Sequence, residues 1–157
     1  MPLQIRKATE RDLPQIAELA GQLVRQHSGF DDKRFMHIEN PEKGYAWWFG
    51  KELQNDKALI LCARLDRKLV GYAYARLEPR DWNQLLDAHG ALHDIFVAPE
   101  ARQQGIGKQL LLRVQKDLAK RGAPRLVLHT AVQNRAAQKL FASAGFRKTM
   151  LEMTCEL

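Results

Sequence analysis

Apolar residues recur along this chain with two periods, every second position in short runs and every third or fourth in longer ones, which predicts alternating strands and helices. Leu3 to Lys7 alternates as a strand. Thr9 and Asp12 each offer an N-cap, and Pro14 favours Asp12, because a proline in the first helical turn lacks an N–H that has no partner there anyway. Leu13, Ile16, Ala17, Ala20, Leu23 and Val24 then form one stripe of a helix ending near Gln26. The period breaks from His27 to Asn40. Asn40-Pro41 opens a second helix with Tyr45, Trp48, Phe49 and Leu53 on one face. Ala58 to Arg64 and Lys68 to Leu77 alternate about Asp66-Arg67 as a hairpin, and a loop with Glu78, Arg80, Asp81, Trp82 and Asp87 leads to a strand over Ala91 to Val97.

A helix follows from about Gln104 to Lys120, stopped by Gly122-Ala123-Pro124, then a strand over Arg125 to Thr130, a helix from Asn134 and a last strand over Arg147 to Glu156. The order is βααβββαβαβ. Helix-linked strands run parallel and hairpins antiparallel, so the fold class is α/β of the α+β type: a mixed, mostly antiparallel central sheet with helices on both faces.

A length of 157 residues with 45% hydrophobic content suits one domain over residues 1–157. No apolar run approaches the ~20 residues that cross a bilayer, and Met1 to Ala8 lacks a signal-peptide centre, so a soluble cytoplasmic protein with no membrane partner is expected. Cys62 and Cys155 lie in strand-like runs and read as reduced, packed thiols. The net charge of +7 admits nucleic acid, a membrane surface or a phosphorylated cofactor as partner. Arg102, Lys108, Arg113, Arg135 and Lys139 concentrate by two helix starts, which favours the cofactor. No aromatic-basic RNA signature or zinc spacing appears, so neither nucleic acid nor a metal is expected.

The chemistry concentrates at Arg102-Gln103-Gln104-Gly105-Ile106-Gly107-Lys108, between a strand and a helix. Amides at a helix start lack intrahelical partners and glycines let a ligand approach the main chain, so an anion such as pyrophosphate is the expected guest. A Walker A loop fails, because Arg102 holds the place of its first glycine and Gln109 follows Lys108; a Rossmann fingerprint fails because Leu110 holds the place of its third glycine. Arg-x-x-Gly-x-Gly fits. A second segment, Asn134 to Phe146, begins with an N-cap Asn and carries Ala137, Leu140, Phe141 and Ala144 as one stripe before Gly145-Phe146. These two segments in this order resemble the coenzyme A loop and the following helix of the GNAT superfamily of N-acetyltransferases.

That resemblance implies the GNAT fold, with the strand before the loop splayed from the strand after its helix. It implies acetyl-coenzyme A as co-substrate, with main-chain groups of Ile95, Phe96 and Val97 along the pantetheine arm. The loop from Arg102 through Gln103, Gln104, Gly105, Ile106, Gly107 and Lys108 would lie on the pyrophosphate, and Asn134 and Phe141 against the cofactor. Phe141 stands where relatives carry a Tyr that protonates the leaving thiolate; water, Tyr72 or Tyr74 remain as substitutes. The acceptor amine must be neutral to attack, so a base is needed near neutral pH. His93 and Asp94 are the candidate catalytic residues, placed by strand alternation on opposite faces, with Glu78 as a further candidate and His129 read as structural. Phe30, Asp31, Asp32, Asp81, Trp82 and Asp94 would form an aromatic and acidic surround for a small-molecule amine, with Phe35 and Trp47 as further contacts. The function implied is N-acetylation of a primary amine in a ternary complex. A protein N-terminal or lysine acetyltransferase and a non-catalytic coenzyme A binding module are the alternatives. Relatives are often dimers, so the resemblance also admits a homodimer that exchanges or pairs its last strand.

Overall fold

A computed structural model describes residues 2–157. Its elements are β1 (Leu3–Lys7), α1 (Leu13–Phe30), α2 (Pro41–Glu52), β2 (Ala58–Leu65), β3 (Lys68–Glu78), β4 (His89–Val97), α3 (Ile106–Lys120), β5 (Leu126–Leu128) and α4 (Arg135–Ser143). The helix α1 starts directly after Asp12, as Pro14 predicts, but runs a turn beyond Gln26. His27 Nδ1 and Ser28 Oγ bond back to the carbonyls of Leu23 and Val24 at 2.8 and 3.3 Å, and Phe30 packs edge-on against His27. Context there overrides the weak helix preference of Ser-Gly.

The strands form one sheet in the order β1-β2-β3-β4-β5, antiparallel through β4 and parallel between β4 and β5. Strand alternation sorts side chains into two cores. Leu59, Leu61, Val70, Ala73, Ala75 and Leu92 meet Leu110, Leu111, Val114 and Phe141 of α3 and α4. Ile60, Cys62, Tyr72, Tyr74 and Phe96 meet Ile16, Leu19, Ala20 and Phe49 of α1 and α2. This is the mixed α/β architecture expected from the element order, except that β1 and β2, although joined through helices, pair antiparallel: the two helices α1 and α2 between them return the chain in the opposite direction.

One charged cluster ties the first strand and helix to β2. Asp12 is 2% exposed, accepts from Arg6 at 2.7 and 2.9 Å, from Arg64 at 3.1 Å and from the Thr9 amide at 2.8 Å. The hydrogen bonds from Arg6 dominate and hold its carboxyl down at about 2.

The last strand does not form: residues 147–157 pair with no strand and are exposed. Alternation makes a segment strand-compatible, but a ladder needs a neighbouring edge, and the chain brings none of its own edges beside this tail. An ion pair of Arg34 with Glu152 ties it to the loop after α1, while Leu151 and Met153 face solvent. Cys155 is consequently exposed rather than packed, whereas Cys62 is buried as expected. Among the described residues no helix is long and apolar enough to cross a membrane.

Candidate active site

The sheet opens where β4 loses its neighbour. Gly90, Ala91 and Leu92 pair with Leu126, Val127 and Leu128, and β4 continues to Val97 while β5 has ended. The main chain of Ile95, Phe96 and Val97 therefore borders a wedge on the β5 side. Arg102 reaches back along it, its Nε donating to the Val97 carbonyl at 2.9 Å and its guanidinium lying 5.1 Å from the Phe96 ring.

At the mouth of the wedge the chain turns through two left-handed residues, Gln103 (φ 63°) and Gly105 (φ 77°), into α3. The first main-chain bond of the helix runs from the Gln109 amide to the Gly105 carbonyl at 3.1 Å. The amides of Gln103 through Lys108 have no acceptor among the described residues. A Cβ built on Gly105 meets nothing within 4 Å, so the turn is open on that side. One on Gly107 would stand 3.3 Å from Leu140 Cδ2, so that glycine sets how closely α3 approaches α4. A row of unpartnered amides at a positive helix end suits an anionic group. Asn134 caps α4, accepting from the Ala137 amide at 3.1 Å. Phe141 is 7% exposed and packs 5.9 Å from Phe146 on the α3 side.

The other face of β4 carries a cluster of titratable side chains. Tyr74 pairs with Asp94 and Ala75 with Leu92, so His93 is an extra residue without a cross-strand partner, a β-bulge at the point where β5 departs. The bulge overturns the expectation that His93 and Asp94 point to opposite faces. Asp94 accepts from the Tyr72 hydroxyl at 2.8 Å, and the His93 ring lies 5.4 Å from that of Tyr74; both tyrosines belong to the core under α1 and α2. Burial pushes the Asp94 carboxyl above its ordinary range against the bond from Tyr72 and the nearby His93 and His27. Its second oxygen has no partner among the described residues.

The two tyrosines are committed as donors. Tyr74 donates to Glu52 at 2.6 Å and receives the Trp48 indole N–H at 3.3 Å. Burial, then the bonded carboxylate, raise the Tyr74 hydroxyl; burial, then the charge of Asp94, raise that of Tyr72. Each hydroxyl proton is therefore engaged with a carboxylate. Glu52 is 4% exposed and lies 3.1 Å from Arg76 Nε. Sequence reasoning passes over Glu52, although it falls three residues after Phe49 on the buried stripe of α2, the period that exposes such a residue.

The loop between β3 and β4 roofs a cleft of about 550 Å³ lined by Glu78, Asp81, Trp82, His89, His93 and His129, among others. Trp82 and His93 are thus brought together. Phe30 and Asp31 are not among its walls: they end α1, where Asp31 accepts from the amides of Lys33 and Arg34 at 3.1 Å each. Trp47 is exposed and covered by Lys51, whose Nζ lies 4.0 Å from its ring.

The chain matches the model of the Acetyltransferase (GNAT) family over residues 20–146. It is 26% identical over 171 residues to a mycothiol acetyltransferase of Thermomonospora curvata, covering 96% of this chain and 53% of that protein, so it spans about half the length of that relative. It is 31% identical over 99 residues to an aminoglycoside N(6')-acetyltransferase type 1 of Salmonella typhimurium, covering 62% of this chain and 68% of that one. The solved structure of AAC(6')-Iy with the bisubstrate analogue CoA-S-monomethyl-acetylneamine has a TM-score of 0.81 and 23% identity, covers 100% of this chain and 99% of that one, and shares its fold.

Proposed function

The chain belongs to the acetyltransferase (GNAT) family, and we propose that it transfers acetyl from acetyl-coenzyme A to the primary amine of a small molecule by direct attack in a ternary complex. The observation that carries this reading is the free edge of β4 running into a loop of unpartnered amides, Gln103 through Lys108. Those features fit a ligand with an extended arm and a pyrophosphate. Ile95, Phe96 and Val97 would line the arm; Arg102 and the amides of Gln103, Gln104, Gly105, Ile106, Gly107 and Lys108 would hold the phosphates. Asn134 and Phe141 would border it from α4. When bound, acetyl-coenzyme A supplies the thioester whose carbonyl the amine attacks.

His93 and Asp94 are the proposed catalytic pair on the acceptor side. The Asp94 carboxylate attracts an ammonium group, and an imidazole accepts a proton near neutral pH. Tyr72 and Tyr74 hold carboxylates, so the departing sulfur, whose thiol form has a pKa near ~8.5, takes its proton from water. A cleft of about 550 Å³ with Trp82 and two carboxylates in its walls supports a small cationic acceptor over a protein lysine or N-terminus. Trp82 stays in the acceptor role; Phe30 and Asp31 would serve only an acceptor that reaches the end of α1.

The reading treats residues 1–157 as one catalytic domain in the cytoplasm, in keeping with unbridged Cys62 and Cys155. It assigns the exposed tail, residues 147–157, to a homodimer in which each copy adds this segment to the other's sheet.

Calorimetry with acetyl-coenzyme A, and thiol release across amines including neamine and across peptides, tests the proposal. Binding together with thiol release on small amines is expected. Binding with release only on peptides would shift the assignment to a protein acetyltransferase, and binding without release to a coenzyme A module.

A further inference from the structure

We propose that Glu78 is the positioning residue of a His93–Glu78 dyad in which Nδ1 of His93 takes the proton of the incoming ammonium; this rests on the acetyl-transfer reading above. His93 Nε2 lies 3.1 Å from Glu78 Oε1. A carboxylate has only acceptors to offer, so that contact requires the proton on Nε2 and leaves the lone pair on Nδ1. No protein group among the described residues meets Nδ1. The ring is fixed on two sides, by Glu78 at its edge and by Tyr74, 5.4 Å away and tilted by 31°. Its side chain remains 43% exposed and lines the cleft.

Glu78 has a charged neighbour in turn, at ion-pair rather than hydrogen-bond distance. It is the last residue of β3, and the same Oε1 lies 3.9 Å from Arg76 Nη1, while Arg76 Nε lies 3.1 Å from the buried Glu52. The sequence of contacts runs from α2 through β3 to the imidazole. The β4 bulge puts that imidazole where β5 has just ended, on the face shared with Asp94. A solvated surface histidine needs neither the extra residue in the ladder nor the carboxylate.

The charged and titratable groups facing the ring are Glu78 and Arg76 from β3, Asp94 from β4, Glu52 from α2 through Arg76, and Asp81, Arg80, His89 and His129 around the cleft; His27 of α1 faces Asp94. The ammonium must lose two protons. The first passes to Nδ1 and on to solvent. The second ends on the sulfur, by way of water, as the C–N bond forms and the C–S bond breaks. Asp94 attracts the cation and Nδ1 removes the proton, so the bulge brings together two roles that plain alternation would put on opposite faces.

Imidazole-¹⁵N NMR reads the tautomer without an acceptor, with His93→Gln used to assign the His93 signals among the five histidines. The expected spectrum has the proton on Nε2, retained in Glu78→Asp and in Glu78→Gln, whose Oε1 accepts the same hydrogen bond, and giving way to a mixture of tautomers in Glu78→Leu, which has no acceptor. With neamine as the amine, Glu78→Gln should lower kcat ~10-fold, leave KM within about twofold and move the acidic limb of the kcat/KM profile to lower pH; His93→Gln should lose ~10²-fold and that limb altogether. A wild-type His93 protonated on Nδ1, a Glu78→Leu protein with unchanged tautomer, or a Glu78→Gln protein with unchanged pH profile would overturn the dyad while the acetyl-transfer reading stands. Absence of thiol release by the wild-type protein with every amine would sink that reading and the base role with it, whatever the tautomer.

Discussion

Gly105 and Gly122 stand at the two ends of α3, both left-handed (φ 77° and 93°) and both with open space where a Cβ would be. They differ in what the space is for. Gly105 faces the unpartnered amides; Gly122 merely ends the helix. Alanine at either position takes on the left-handed cost of ~1–2 kcal/mol, offset by ~0.4–1 kcal/mol from a less mobile unfolded chain. The net is ~1 kcal/mol, which for a chain of this size lowers Tm by roughly 2–4 °C. The two variants should melt alike. In Gly105→Ala, however, the methyl group takes up open space at the turn into α3, and a phosphate held by this loop should lose at least one or two of its amide contacts. Charge-assisted hydrogen bonds are worth ~1.5–3 kcal/mol each, so coenzyme A affinity should fall ~10²-fold. Titration calorimetry beside thermal melts reads both quantities. A folded Gly105→Ala protein that binds coenzyme A as wild type, or equal loss of binding in Gly122→Ala, would refute the assignment of this loop.

The Asp12 carboxyl sits near 2 in the folded chain against 3.8 when free, so it contributes stability that is fully present above the ordinary carboxylate range and lost as pH falls toward 2. Asp12→Asn should therefore cost about 2 kcal/mol at pH 7, with the gap to wild type closing below pH ~4; urea melts showing a gap that stays constant with pH would contradict this. Asp94 has the opposite sign. Its raised carboxyl means that stability falls as pH rises from the ordinary carboxylate range through the raised value, so Asp94→Asn should be at least as stable as wild type at pH 7. Its KM for the amine should nevertheless rise ~10-fold through loss of a charge pair, and an unchanged KM would remove Asp94 from the acceptor site. Deleting residues 147–157 exposes no core, so the truncated chain should fold and bind coenzyme A while losing self-association in sedimentation; a wild-type chain that sediments as a monomer would refute the strand exchange.

Much of the cofactor side is local along the chain and so is legible in the order of residues. A glycine at a helix start, a capping Asn and the spacing between them are properties of short segments, and Gly105, Asn134 and the α3 stripe appear where the periods put them. The element order through α4 follows for the same reason: period two or period three-to-four is set by neighbouring residues. The acceptor side is not local. His93 and Asp94 share a face only because β3 skips one residue of β4, a matter of register between strands joined by the β3–β4 loop. Glu52 and the hydroxyls of Tyr72 and Tyr74 acquire their partners where α2 settles on the sheet, and Glu78 meets His93 across a strand pair.

The strands and helices through α4, the glycine turn into α3 and the family resemblance were legible in the chain alone, because these rest on the order of residues within a few turns. Tertiary structure alone decided which side chains share a face, which hydroxyls remain free to give a proton and whether the tail finds an edge. Each of those depends on a partner distant along the chain, whose register and distance no local period encodes.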